Sequence, residues 1–131
     1  MQDIVILEND PFLLETFGFL FEEEGFQATF FDTPMTTLSY LRTLTTHVTV
    51  LFDGDVRGYQ HNDVFLQSLV NDVALQKQHT YILMTTSNPL SDVTQQAVYR
   101  LHLPVVYKPF EVEDLLTTIR NAALPDTFFV A

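Results

Sequence analysis

Five short apolar runs alternate with segments of helical period, and this alternation constrains the fold more than any other feature of the chain. The first run, Asp3–Leu7, is nearly all Ile and Val at its centre, which is typical of a strand buried on both faces. Strands that alternate with helices predict βα units and a parallel sheet. The other runs are residues 26–31, 48–52, 81–84 and 105–107.

The segments between the runs carry helix start signals. Asp10-Pro11 and Thr33-Pro34 each place a capping side chain before a proline suited to the first helical position, and Ser91 is a third capping residue. We predict five helices, at about residues 11–24, 34–45, 62–73, 92–101 and 112–122. Five βα units predict an α/β fold with a doubly wound, five-stranded parallel sheet, flavodoxin-like, in the strand order 2-1-3-4-5.

Length and charge limit the classes of function. At 131 residues the chain fits one domain, predicted over residues 1–123 with an apolar tail at 124–131. The 17 acidic residues outnumber the 6 scattered basic ones, giving a formal charge of -11. Because a phosphate backbone needs clustered cations, we expect no direct contact with nucleic acid or with an anionic membrane.

Residue usage also bears on chemistry and location. The chain has no cysteine, which excludes disulfides, thiolate metal sites and a thiol nucleophile. Its start, Met1-Gln2-Asp3, lacks the basic region of a signal peptide, and no apolar run approaches the ~18 residues of a membrane span. A cytoplasmic location is therefore expected.

Polar residues follow four of the apolar runs, and these residues are the candidate site. They are Glu8-Asn9-Asp10, Asp53, Thr85 and Lys108-Pro109. Because the carboxyl ends of parallel strands meet at one edge of a sheet, we expect these groups to lie together. An aspartate, further acidic groups, a hydroxyl and a lysine are suited to carrying a phosphoryl group on the aspartate.

This ordered set resembles the receiver domain of bacterial two-component response regulators, over about residues 3–122. The resemblance implies that Asp53 is the phosphoacceptor and that Thr85 and Lys108 contact the phosphoryl group. It also implies that the Lys108-Pro109 peptide bond is cis. The implied phosphodonor is a histidine kinase or a phosphotransfer protein.

The resemblance further implies a Mg²⁺ cofactor. Its candidate ligands are Glu8, Asn9, Asp10, Asp53 and Asp55, with Asp55 contributing its backbone carbonyl. The family usually has an aspartate where this chain has Asn9, so metal affinity should fall unless Asp10 or Asp55 compensates. A pseudo-receiver that is not phosphorylated is therefore the main alternative.

The expected output is a protein contact. The resemblance places it on the fourth helix, fifth strand and fifth helix, where a downstream partner or a second copy of the chain would bind. That surface includes Tyr99, Arg100, Glu113 and Arg120. Val105 stands where many receivers have a switching aromatic residue, and Tyr107 lies further along the strand. Switching would then depend on the loop after Thr85.

Two other classes of function compete with this interpretation. Asp53-Gly54-Asp55-Val56 also resembles the first motif of haloacid-dehalogenase-type phosphohydrolases, in which the second Asp is a general acid/base. That motif normally ends the first strand, and no later predicted strand here ends in an acidic pair. Phe12, Phe19 and the apolar tail suggest a pure interaction module. We expect no enzymatic activity beyond phosphoryl chemistry on Asp53.

Overall fold

The five apolar runs form one parallel sheet in the order β2-β1-β3-β4-β5, which confirms the predicted fold class and strand order. This arrangement comes from a computed structural model that describes residues 2–55 and 63–122. The strands are β1 (Asp3–Leu7), β2 (Gln27–Phe31), β3 (Thr49–Asp53), β4 (Thr80–Thr85) and β5 (Val105–Tyr107). The predicted tail at 124–131 lies outside the described residues.

Helices begin where the sequence places capping side chains. Asp10 accepts a hydrogen bond from the Phe12 amide, and Ser91 accepts one from the Thr94 amide, at 2.9 and 3.3 Å. The helices are α1 (Pro11–Glu23), α2 (Pro34–Thr43), α3 (Asp63–Val70), α4 (Val73–Gln78), α5 (Asp92–Leu101) and α6 (Val112–Ala122). Among the described residues no helix is long and apolar enough to cross a membrane.

The prediction of one helix over residues 62–73 was wrong. Helix α3 ends at Val70, and α4 begins at Val73 after a break. Asp72 causes the break, because its carboxylate accepts from the Leu75 amide at 3.0 Å and so caps a new helix. The Gln76 side chain then donates to the carbonyl of Leu69 at 2.6 Å, which satisfies the end of α3. Residue 62 lies outside the described residues.

Alternate residues of each strand face opposite layers of core. In β1, Ile4 and Ile6 pack with α1 and α6, while Val5 and Leu7 pack with α2, α3 and α5. All four side chains are buried. The sheet is therefore covered on both faces, and its central strands lie between two apolar layers.

The register brings the strand ends to one level. Leu7 pairs with Phe52, so Glu8 stands beside Asp53. Thr85 pairs with Tyr107, so Lys108 emerges just beyond Thr85. The candidate residues thus leave the sheet at the same edge, although about a hundred residues separate the first from the last.

The residue that follows helix α5 has a left-handed backbone conformation, and substitutions there test for backbone strain. His102 has φ 53°, a region that favours glycine. We expect His102→Gly to raise the free energy of unfolding by about 0.5–1 kcal/mol, measured by urea denaturation. Gly25, at φ 81°, gives the matched reverse change, since Gly25→Ala meets no atom within 4 Å and should lower that free energy. If both substitutions changed the free energy of unfolding in the same direction, backbone strain would not explain their effects.

Candidate functional site

Lys108 joins the ends of β1 and β3 through two ion pairs. Its Nζ lies 3.0 Å from Oε1 of Glu8 and 3.0 Å from Oδ2 of Asp53. The Lys108 side chain is 14% exposed, and those of Glu8 and Asp53 are 1% and 4% exposed. One ammonium therefore balances two carboxylates in a nearly dry environment, where electrostatic interactions are strong.

The backbone fixes Lys108 in this position. Its amide donates to the carbonyl of Thr85 at 2.9 Å, which extends the pairing of β4 and β5 by one step. The Lys108-Pro109 peptide bond is cis, as predicted. The Asn88-Pro89 bond is also cis, which was not predicted.

Glu8 is held in an environment that disfavours its charge. Burial, a hydrogen bond with Asp53 and the negative charge of Asp53 raise the pKa of Glu8 to about 7, against the smaller opposing effect of Lys108. The other oxygen, Oε2, accepts from the backbone amides of Asn9 and Asp10 at 3.0 and 3.2 Å. The site thus contains two close carboxyl groups that repel each other when both are ionised.

The charged form of Lys108, in contrast, is favoured. Burial alone would lower its pKa, but the hydrogen bond with Asp53 and the charges of Asp53 and Glu8 outweigh burial and raise the pKa above its ordinary value. The ammonium is therefore charged at neutral pH. A fixed positive charge stands beside Asp53.

Asp55 connects the end of β3 to the loop that follows β4. Its amide donates to Oδ1 of Asp53 at 2.8 Å. Its Oδ2 accepts from Oγ1 of Thr85 at 3.2 Å, and from the amide and Oγ1 of Thr86 at 2.8 and 3.1 Å. The carboxylate of Asp55 therefore points toward β4, and Thr85 hydrogen-bonds to Asp55.

Gly54 allows this close approach of the two strand ends. Its amide donates to the carbonyl of Met84 at 2.7 Å. A Cβ atom at this position would lie 3.0 Å from a side-chain carbon of Leu83, which is too close without displacement of the leucine. A larger residue between the two aspartates would therefore have to displace the Leu83 side chain.

The carboxylates of two candidate metal ligands have other partners, while the metal contact of the Asp55 backbone carbonyl stays a prediction. The Asp10 carboxylate caps α1 through the Phe12 amide, and the Asp55 carboxylate binds Thr85 and Thr86. Within residues 2–55 and 63–122, no group of three or more His, Asp or Glu side chains is arranged to hold a metal. Two carboxylates remain together, those of Glu8 and Asp53. Mg²⁺ commonly uses one or two carboxylates with water and phosphate oxygens, so this pair fits it.

Sequence reasoning missed the part played by Thr86. It lies next to Thr85 in a run of three hydroxyl residues, Thr85-Thr86-Ser87, and only the first was assigned a role. In the structure the amide and the hydroxyl of Thr86 both donate to one oxygen of Asp55. The signal in the sequence was a second hydroxyl residue immediately after the strand.

Large exposed side chains lie on α1 and on the predicted output surface. Phe12 and Phe19 on α1 are 75% and 69% exposed, which agrees with their position off the core stripe. Tyr99 is exposed on α5, and Tyr107 is exposed at the end of β5. Arg120 on α6 forms an ion pair with Glu24 at 2.8 Å. This ion pair lies between α6 and the end of α1.

Three solved structures illustrate what this fold is similar to. A CheY-like response regulator receiver domain protein from Methanospirillum hungatei has a TM-score of 0.75 and 18% identity, with 92% of each chain covered. The chemotaxis protein CheY4 of Vibrio cholerae has a TM-score of 0.73 and 14% identity, covering 93% of this chain and 98% of that one. A beryllofluoride-activated NtrC4 receiver domain dimer has a TM-score of 0.72 and 18% identity, covering 93% of this chain and 96% of that one.

No protein-family model matches the chain, and no curated protein matches it by sequence. Its likeness to known proteins is therefore one of structure. The chain has the fold of CheY-like response regulator receiver domains, with five parallel strands and helices on both faces.

Proposed function

We propose that this protein is a phosphoryl-accepting signalling switch in which Asp53 carries the phosphoryl group. The observation that supports the proposal best is the contact of Lys108 Nζ with both Asp53 and Glu8 at 3.0 Å. These groups come from the ends of three strands and meet at the edge where ligands of open α/β sheets bind.

The chemistry needs little beyond alignment and charge. A carboxylate oxygen of Asp53 attacks phosphorus, the bond from phosphorus to the donor's leaving group breaks, and an acyl phosphate forms on Asp53. Lys108 supplies a positive charge to a phosphoryl oxygen, and Thr85 supplies a hydroxyl donor. Lys108 contacts Asp53, and Thr85 ends the neighbouring strand β4, which supports these roles.

Glu8 and Asp53 would hold Mg²⁺, with the amide oxygen of Asn9 as a further neutral ligand. The ion would neutralise charge on the transferred group and between the two carboxylates. Burial is the main cause of the raised pKa of Glu8, and the negative charge of Asp53 adds to it; a cation held between the two carboxylates would relieve this second effect. Asn9 brings no formal charge, so we expect a weak site that is filled at millimolar Mg²⁺.

The donor would be a histidine kinase or a phosphotransfer protein in the cytoplasm. Output would pass through a downstream protein or a second copy of the chain on α5, β5 and α6. Tyr99 and Tyr107 are exposed there and offer aromatic contact area. Val105 is half-buried and is not aromatic, so switching would depend on the loop after Thr85.

A phosphohydrolase is the less favoured proposal. The strand that ends in Asp53 is the third along the chain, and β4 and β5 end in Thr85 and Tyr107, not in an acidic pair. The carboxylate of Asp55 is engaged by Thr85 and Thr86, away from an acid/base position on Asp53. Continuous Mg²⁺-dependent turnover of small phosphomonoesters would favour the phosphohydrolase.

Phosphorylation by acetyl phosphate tests the proposal. We expect intact-mass spectrometry to show one added phosphate on the wild type with millimolar Mg²⁺, and at least about tenfold less with a chelator, because two repelling carboxylates then face an anionic donor. Asp53→Asn should show none. Asp32→Asn, which removes an exposed charge at the end of β2, is the matched control and should react normally. Absence of any adduct on the wild type would indicate a pseudo-receiver.

A further inference from the structure

The carboxylate of Asp55 is held by Thr85 and Thr86 at the end of β4. One of its oxygens accepts three hydrogen bonds, from the hydroxyl of Thr85 and from the amide and hydroxyl of Thr86. Hydrogen bonds to an ionised acceptor are stronger than those between neutral groups. These bonds therefore fasten the loop after β4 to the end of β3.

The donors that bind Asp55 include the one required by the proposed reaction. In the proposed reaction Thr85 donates a hydrogen bond to a phosphoryl oxygen on Asp53. In the structure the same hydroxyl donates to Asp55. A hydroxyl has one proton to donate, so it cannot serve both acceptors at once. The adjacent amide of Thr86 is also directed at Asp55, at 2.8 Å.

Local geometry keeps Asp55 in this competing position. Its own amide is bonded to Oδ1 of Asp53, and Gly54 is bonded to the carbonyl of Met84. The oxygen of Thr85 accepts from the amide of Ser87 at 3.0 Å, which leaves its one proton to be donated to Asp55. Backbone contacts at the ends of β3 and β4 therefore hold Asp55 where it competes with the phosphoryl group for Thr85.

We propose that Asp55 is an internal competitor of the phosphoryl group, which must be displaced from Thr85 and Thr86 before Asp53 is fully phosphorylated. This inference rests on the proposed function and deepens it. Asp55 acts as a positioning residue, because it controls the donors and does not touch the reacting phosphorus. Removal of its carboxylate should make the site more receptive to phosphoryl transfer.

Initial rates of phosphorylation test the competition. With acetyl phosphate and saturating Mg²⁺, we expect Asp55→Ala to gain phosphate at least about fivefold faster than the wild type, since the charged acceptor for Thr85 is gone. Asp55→Asn keeps a neutral acceptor oxygen and should be intermediate. Asp32→Ala removes an exposed charge that contacts neither threonine, so it controls for the loss of charge alone.

The amide of Thr86 gives a second measurement, which does not depend on phosphorylation. In ¹H-¹⁵N NMR spectra of the unphosphorylated protein, its proton resonance should lie downfield in the wild type and move upfield in Asp55→Ala, because a charged acceptor is lost. In Asp32→Ala it should not move. An unchanged Thr86 resonance in Asp55→Ala would overturn the inference.

The outcomes separate this inference from the proposed function. A wild type that is phosphorylated, with Asp55→Ala no faster than Asp32→Ala, would overturn the competitor role and leave the function of Asp53 intact. If no variant gains phosphate, the proposed function fails and the competitor role fails with it. A graded order of rates, with Ala above Asn and Asn above wild type, supports both.

Discussion

Replacing Lys108 with methionine is expected to lower the free energy of unfolding by about 3 kcal/mol at pH 8 in metal-free buffer. The substitution keeps most of the apolar stem but removes the ammonium between Glu8 and Asp53. Two buried carboxylates are then left without their counter-charge. Removing one partner of a buried ion pair is costly for this reason, far beyond the value of an exposed pair.

The pH dependence of the Lys108→Met effect identifies its cause. Lys108 lowers the pKa of Glu8, so the variant should have an even higher Glu8 pKa than the wild-type value of about 7. As the pH falls through that range, Glu8 takes up a proton and the repulsion disappears. The loss of stability should therefore shrink toward pH 5, when measured by urea denaturation at each pH.

Arg120→Met is the matched control. It removes a cation from the pair with Glu24, in which the side chains are 52% and 32% exposed. We expect a change below about 1 kcal/mol with little dependence on pH, because solvent screens the pair. If Lys108→Met were no more destabilising than Arg120→Met, Lys108 would not be the counter-charge of the site.

Glu8→Gln is expected to stabilise the metal-free protein at pH 8 by about 1–2 kcal/mol. The folded protein holds the Glu8 proton up to about pH 7, whereas the ordinary value is 4.5. The stability from this group is therefore complete below pH 4.5 and is lost as the pH rises through 7. Glutamine stays neutral, so the variant avoids that loss.

The gain is smaller than the pKa difference alone suggests. Oε2 of Glu8 accepts from the amides of Asn9 and Asp10, and Oε1 accepts from Lys108. Glutamine has one acceptor oxygen where glutamate has two, so about 1 kcal/mol of hydrogen bonding is lost. Stability against pH should still be flatter than in the wild type between pH 4.5 and 7. A variant less stable than the wild type at pH 8 would show that the charged form of Glu8 is favoured.

The same substitution should separate stability from function. If Glu8 helps to hold Mg²⁺, then Glu8→Gln should be phosphorylated more slowly at a given Mg²⁺ concentration while unfolding at higher urea. Opposite effects on the two measurements would mean that the Glu8 carboxylate lowers the stability of the protein but promotes phosphorylation.

Much of the fold could be predicted because local signals agreed with one another. Asp10-Pro11 and Thr33-Pro34 mark helix starts, and the Ile and Val of β1 mark a strand buried on both faces. The break at Asp72 was missed because the apolar spacing continues across it. The Asp72 side chain caps a new helix there, and the spacing of apolar residues gives no information about capping side chains.

The site was predictable as a set of residues but not as a set of contacts. Four polar strand ends place Glu8, Asp53, Thr85 and Lys108 at one edge, and the structure brings Lys108 to two of them. The sequence offers no means of telling which acceptor Thr85 uses. The structure shows that the acceptor is Oδ2 of Asp55, a contact between the ends of β3 and β4 that depends on the side-chain direction of Asp55. The roles of these residues in phosphoryl transfer stay predictions.

Reductive trapping of the acyl phosphate tests the central claim most directly. After brief treatment with acetyl phosphate and Mg²⁺, borohydride converts an aspartyl phosphate to homoserine, and peptide mass spectrometry locates the converted residue. We predict conversion at Asp53, at the end of β3 and beside Lys108. Conversion at another aspartate, such as Asp55, with Asp53 unmodified, would contradict the account.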